Sequence, residues 1–100
     1  MTAKLAAAAR TRALKSLDGW TLAADGLSIA KTFRFKDFVA AFGFMASAAL
    51  IAQQMDHHPE WFNVYDRVEV RLTTHDAGGL THKDIALARA MDARAAGASR

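Results

Sequence analysis

The chain has 100 residues, of which 52% are hydrophobic, and this is enough for one domain with a modest core. It has no cysteine, so disulfide bonds and thiolate metal sites are excluded, and a reducing compartment such as the cytoplasm is favoured. Its 13 basic and 10 acidic residues give a net charge of +3, which is too small and too scattered to predict nucleic-acid binding. We therefore expect one cytoplasmic domain over residues 1–100, and small domains of this kind often form oligomers.

The N-terminal segment, residues 1–19, is predicted to contain a helix. Ala3 to Leu17 is rich in alanine, leucine, arginine and lysine, and the helix is expected to end near Asp18 and Gly19. The basic, acid-free start is also typical of an organelle transit peptide, although the same residues fit a structural helix.

Two strands and a long helix follow. Trp20 to Ala23 and Leu27 to Phe35 are strand-like, and the Asp-Gly turn between them indicates a hairpin. Lys36 to Met55 is predicted to be the main helix. Its expected buried stripe consists of Phe38, Phe42, Met45, Ala49 and Ala52, broadened by Val39, Ala46 and Leu50. The apolar run from Val39 to Ala52 is too short and too rich in alanine to predict a membrane span.

The chain after Pro59 returns to strands and ends in a helix. Trp61 to Tyr65 and Val68 to Thr74 are strand-like, and a last helix opens at Thr81 and runs to Gly97. The order α-β-β-α-β-β-α, with hairpins rather than crossovers, predicts an α+β fold. We expect a four-stranded antiparallel sheet with three helices on one face.

Three histidines stand at the ends of predicted elements. His57 and His58 lie where the main helix must unwind before Pro59, and His75 follows a strand. Imidazole side chains suit proton transfer at neutral pH, since their ordinary pKa is ~6.5. A metal site of three imidazoles is a weaker alternative, because adjacent side chains point apart and no HxxxH or HExxH spacing is present. A structural role is also open, with a histidine capping the helix and Trp61 in the core.

Two segments carry a resemblance to a known family. DHHPEWFNVY and THDAGGLT, together with the later Asp84, resemble the pterin-4a-carbinolamine dehydratase family, and the similarity extends back through FRFKDFVAAFGFMASAA to cover residues 20–91. The resemblance implies dehydration of a 4a-hydroxytetrahydropterin, formed by aromatic amino-acid hydroxylases, to a quinonoid dihydropterin and water in tetrahydrobiopterin recycling. It implies no metal and no cofactor, and a homodimer or homotetramer.

The resemblance also implies roles for residues. His57, His58 and His75 match the catalytic histidines of the family motif. Asp56, Asp76 and Asp84 are expected to support them. Asp84 has an equally good interpretation as a helix cap, because it follows Thr81 by three residues. The expected substrate-binding residues are His57, His58, Pro59, Trp61, Thr74, His75, Asp76 and Ala77.

Two further expectations concern departures from this picture. Gln53 stands where many family members carry an acid, which puts the pH optimum and turnover in question. The alternative function is a protein-binding dimerisation or coactivator module, because some animal members bind a homeodomain transcription factor dimer. The intact histidine trio favours catalysis. We expect no nucleic-acid or membrane partner.

Overall fold

The computed structural model describes residues 2–98, so residues 1, 99 and 100 of the expected domain lie outside the described residues. The helices are α1 (Ala7–Lys15), α2 (Phe38–Met55) and α3 (His82–Ala98). The strands are β1 (Thr21–Leu22), β2 (Ile29–Arg34), β3 (Glu60–Val64) and β4 (Arg67–Leu72). All neighbouring strands are antiparallel, in the sheet order β1-β2-β4-β3. The predicted α+β class and the order α-β-β-α-β-β-α are confirmed.

The sheet has one buried and one exposed face, because side chains alternate along each strand. The buried face carries Ile29, Phe33, Val68, Val70 and Leu72. Helix α2 packs against β4 and α3, so the core lies between the sheet and these helices. The exposed face carries Ala30, Thr32, Glu69 and Arg71. A residue at a strand end therefore points either to the core or to solvent, depending on its place in this alternation.

Helix α1 is shorter than predicted. Its first four expected residues are not helical. The backbone N–H of Leu5 donates to the carbonyl of Leu80 at 2.8 Å, and Ala6 is extended with ψ 154°. The helix ends at Lys15, and Leu17 is buried in the core beyond it. A tertiary hydrogen bond has overridden the local helix propensity of this alanine-rich segment.

The C-terminal end of α2 aims the first two histidines. Asp56 adopts the left-handed conformation with φ 52°, its N–H bonds back to Gln53, and the N–H of His57 donates to the carbonyl of Ala52 at 3.0 Å. These two bonds form a Schellman motif, which reverses the chain direction at a helix end. The helix unwinds before Pro59, as predicted.

The predicted buried stripe of α2 is largely wrong. The buried residues are Ala41, Phe44, Ala48 and Ala52, so only Ala52 was expected. Small side chains let the helix approach the sheet closely, while the Phe44 ring packs against Phe33 in a tilted arrangement with a centroid distance of 4.8 Å. The large side chains Phe38, Val39, Phe42 and Leu50 are exposed instead.

Helix α2 is longer than the apolar run from which a membrane span was excluded. Its 18 residues have a mean hydropathy of 1.5, so length and composition alone would let it cross a membrane. In the described fold it packs against β4 and α3, and 22% of it is buried.

Candidate active site

A cleft of ≈ 320 Å³ lies where the end of α2, the end of β4 and the start of α3 meet. Its size falls in the range of ~300–1,000 Å³ that is typical of small-molecule sites. The lining residues are Asp56, His57, His58, Thr73, Thr74, His75, Asp76 and Lys83. All three histidines singled out from the sequence therefore line one cleft, although two segments of the chain carry them.

Chemistry rather than size distinguishes this cleft. A larger cavity of ≈ 720 Å³ lies between α2 and α3, and another of ≈ 350 Å³ lies on the exposed face of the sheet. Neither of these two cavities is lined by a histidine. Groups that can exchange protons at neutral pH are concentrated in the smaller cleft.

The His57 ring is buried and held by Asp84. Its Nε2 lies 2.6 Å from Oδ1 of Asp84, whose side chain has no solvent exposure. An ionised carboxylate can only accept hydrogen bonds, so this contact puts a proton on Nε2 of His57. The other ring nitrogen, Nδ1, is then the atom through which His57 can exchange a proton.

The second oxygen of Asp84 closes the first turn of α3. Oδ2 accepts the backbone N–H of Thr81 at 2.9 Å and the hydroxyl of Thr74 at 2.7 Å. The hydroxyl of Thr81 in turn accepts the N–H of Lys83 at 3.2 Å, which completes a capping box. Asp84 is thus both a helix cap and the hydrogen-bond partner of His57.

The His58 ring is exposed and has a neutral partner. Its Nε2 lies 2.9 Å from Oε1 of Gln53, one helical turn back on α2. An amide can turn to donate or accept, so this partner accommodates either neutral tautomer of the ring. His58 is therefore less constrained than His57.

The His75 ring is also exposed, with 78% of its side chain accessible. It opens a short 3-10 turn, His75–Ala77, which ends at Gly78 with φ 71°. Two backbone hydrogen bonds between Thr74 and Gly79 close this loop. Nε2 of His75 lies 3.1 Å from Oε2 of Glu60, the first residue of β3. A closed loop thus presents the ring to solvent beside the cleft.

Five of the residues expected to bind substrate line the cleft, and three do not. Pro59, Trp61 and Ala77 lie outside its lining. Trp61 sits opposite Val70 in the sheet register and packs half-buried against the core. Trp61 therefore packs with the core, as in the structural alternative, and does not line this cleft.

Of the aspartates expected to support the histidines, Asp84 contacts a ring. Asp56 and Asp76 line the cleft, but within residues 2–98 neither carboxylate hydrogen-bonds a histidine ring. The sequence did not single out Glu60 as a partner, nor Thr73 and Lys83 as lining residues. Thr73 adjoins Thr74, and Lys83 lies inside the capping box, but these are weak signals.

A metal centre is not formed by the described residues. Among residues 2–98, no group of three or more histidine, aspartate or glutamate side chains is placed to hold a metal ion. The three imidazoles each face a different polar partner instead of one shared point.

Comparison with known proteins gives consistent matches. The family model described as pterin 4 alpha carbinolamine dehydratase matches residues 3–94. A Rhizobium rhizogenes protein named "Putative pterin-4-alpha-carbinolamine dehydratase" is 60% identical over 93 residues, which cover 93% of this chain and 92% of the relative. A Bradyrhizobium protein of the same name is 58% identical over 99% of both chains.

A solved structure is similar in fold and sequence. It is a crystal structure from Brucella melitensis described as a transcriptional coactivator/pterin dehydratase, with a TM-score of 0.89 and 51% identity. The match covers 92% of this chain and 98% of that chain.

Proposed function

Because the chain belongs to the pterin 4 alpha carbinolamine dehydratase family, we propose that it dehydrates a 4a-hydroxytetrahydropterin to a quinonoid dihydropterin and water. The observation that carries this proposal is the single cleft lined by His57, His58 and His75. The physiological setting would be tetrahydrobiopterin recycling after an aromatic amino-acid hydroxylase.

The reaction needs two proton transfers. The hydroxyl on C4a leaves poorly as hydroxide but readily as water once a general acid has protonated it. The lone pair of N5 forms the new C4a–N5 double bond as the water departs, and a base then removes the proton from N5. Each positioned acid or base of this kind typically contributes ~10²–10⁴-fold in rate.

The three imidazoles are suited to different parts of this exchange. His58 and His75 have exposed rings on two sides of the cleft, so we assign them the proton transfers to the 4a-hydroxyl and from N5. His57 is hydrogen-bonded to Asp84, so only its Nδ1 is available for proton exchange. We assign it either an assisting role or proton transfer with substrate of the other configuration at C4a. No metal or cofactor enters the proposed reaction.

Polar groups around the histidines are available to hold the pterin ring. Thr74, Asp76 and Lys83 line the same cleft, and the pterin has an amide-like edge with both donors and acceptors. The pterin would lie between the segment after α2 and the turn after β4, in reach of both exposed rings.

A coupled assay tests the proposal. A synthetic 4a-hydroxytetrahydropterin is supplied to the purified protein in the presence of a metal chelator, and a quinonoid dihydropterin reductase converts the product at the expense of NADH. We expect the protein to accelerate NADH oxidation above the spontaneous rate. A rate equal to the spontaneous one, with folded protein, would refute the proposed activity.

A second candidate function is a dimerisation or coactivator module. It is favoured by the exposed apolar side chains of α2, since Val39 is 79% and Leu50 is 70% accessible. Contiguous apolar surface of this kind usually marks a protein contact. Self-association through α2 is compatible with catalysis, so the two functions do not exclude each other.

A further inference from the structure

The carboxylate of Glu60 lies between a cation and an imidazole. Nη1 of Arg71 lies 2.8 Å from each of its oxygens, and Nε2 of His75 lies 3.1 Å from Oε2. Oε2 therefore accepts hydrogen bonds from both neighbours. Glu60 and Arg71 are about half-exposed, so their pairing adds little to stability.

The sheet register fixes this arrangement. Glu60 on β3 pairs directly with Arg71 on β4, so both side chains stand on the same face of the sheet. Glu60 immediately follows Pro59, and Arg71 lies four residues before His75. The Glu60 carboxylate thus links β3, which follows His57 and His58 in the chain, to the turn that carries His75.

The chemistry of the three ring partners differs. His57 faces a buried carboxylate and His58 faces a neutral amide. His75 faces an exposed carboxylate whose charge is partly offset by Arg71. Because an ionised carboxylate only accepts, the contact with Glu60 requires the proton of neutral His75 to sit on Nε2. Nδ1 of His75 is then left for the substrate.

We propose that Glu60 is a positioning residue for His75: it selects the Nε2–H tautomer and orients the ring. This inference rests on the proposed dehydratase function, because it assigns His75 a proton-transfer role. It adds to the site a residue that does not itself touch the reacting atoms.

Other charged groups also face His75. Asp56, Asp76 and Lys83 line the cleft with it, together with the other two histidines. Arg71 lines a small cavity on the other side of His75, near Gly78 and Gly79. Among these groups in residues 2–98, Glu60 is the one whose carboxylate hydrogen-bonds the ring, so its removal should have the largest effect on the ring.

The Glu60→Gln variant tests the assignment. The amide of Gln can present either its oxygen or its NH₂ group to the ring, so this variant no longer restricts Nε2 of His75 to donating. The Nδ1–H tautomer of His75 then becomes available. Glu69→Gln is the matched control, because Glu69 lies on the same face, pairs with Arg67 at 3.0 Å and has the same 49% exposure as Glu60.

Two readouts are measured. The first is the neutral tautomer of His75, from nitrogen NMR of the labelled protein, which does not depend on activity. We expect Nε2–H in the wild type and in Glu69→Gln, and an increased Nδ1–H population in Glu60→Gln. The second is the pH–rate profile of dehydration, with an expected fall in kcat of about tenfold, less than the ~10²–10⁴-fold of a lost acid or base, and little change in KM.

The tautomer of His75 separates positioning from a merely structural role. Arg71→Gln keeps the Glu60 carboxylate, which can only accept, so this variant should retain the Nε2–H tautomer. An unchanged tautomer in Glu60→Gln, or a profile identical to that of Glu69→Gln, would overturn the role of Glu60. An inactive wild type would instead refute the dehydratase function, while the tautomer measurement would still test the contact.

Discussion

Nε2 of His57 lies 2.6 Å from Oδ1 of Asp84, and the other oxygen of the same carboxylate caps the first turn of α3. Asp84 therefore holds the His57 ring against the first turn of α3. Three donors, from His57, Thr74 and Thr81, surround a carboxylate that has no solvent exposure. Folding of α3 and orientation of the ring depend on one buried group.

Asp84→Asn is expected to lower both stability and turnover. The amide oxygen must satisfy the N–H of Thr81, so the NH₂ group faces His57 and forces its Nε2 to accept. We expect a loss of about 1–3 kcal/mol in the free energy of unfolding, measured by urea denaturation, because buried donors lose a charged acceptor. We expect kcat to fall by ~10²-fold if proton exchange through His57 contributes.

Asp76→Asn is the control for this change, because Asp76 lines the same cleft without bonding a ring. It should leave the free energy of unfolding within about 0.5 kcal/mol of the wild type. Equal stability of the two variants would contradict the structural role given to Asp84.

His75→Ala is expected to reduce turnover without loss of stability. The side chain is 78% accessible, so its removal should change the free energy of unfolding by less than about 0.5 kcal/mol. Loss of a general acid or base should reduce kcat by ~10²–10⁴-fold. His82→Ala changes an exposed histidine outside the cleft lining and should keep full activity. A large fall in the melting temperature of His75→Ala would assign the residue a structural role instead.

Gln53→Glu is expected to shift the pH dependence of the reaction. The new carboxylate would lie beside Nε2 of His58, where Gln53 now supplies a neutral oxygen at 2.9 Å. A nearby negative charge favours the protonated ring, so the limb of the pH–rate profile that reports His58 should move to higher pH. Gln54→Glu, on the same exposed turn of α2, serves as the control. Identical shifts in both variants would indicate a general charge effect.

Phe42→Ser is expected to reduce the molar mass in solution, measured by light scattering after gel filtration. Phe42 is 59% exposed and lies beside Phe38 at a centroid distance of 6.1 Å, within the apolar surface of α2. Phe62→Ser is a matched comparison, because Phe62 is also 59% exposed but lies on the open face of the sheet. An unchanged mass for Phe42→Ser would exclude α2 as the contact surface.

The order of elements and the position of the histidines could be predicted from local signals. The turn at Asp25 and Gly26 forms the expected hairpin, with the N–H of Leu27 bonded to the Asp25 side chain. Pro59 stops the preceding helix as expected, since a residue before proline avoids the α region. These features depend on near neighbours in the chain, which a sequence shows directly.

The buried face of α2 could not be predicted in the same way. The helix is so rich in alanine that several stripes have similar hydrophobicity, and the largest side chains suggested the wrong one. Close packing on the sheet selects the small side chains of Ala41 and Ala48 for the core. Large residues such as Phe42 are left outside.

The partners of the histidines depend on distant pairings. Glu60 reaches His75 because β3 and β4 pair in a register that sets Glu60 opposite Arg71. Asp84 reaches His57 across 27 residues, although its capping role was visible from Thr81 alone. A sequence reveals residue types at a site more readily than it reveals which of them touch.

The most direct test of the central claim is stopped-flow ultraviolet absorbance of a synthetic 4a-hydroxytetrahydropterin, recorded with wild-type protein and with the His58→Ala, His75→Ala double variant. We predict that the wild type accelerates decay of the substrate and that the folded double variant reduces the rate to that of the spontaneous reaction. Equal acceleration by both proteins would contradict catalysis by these histidines, and no acceleration by the wild type would contradict the dehydratase function itself.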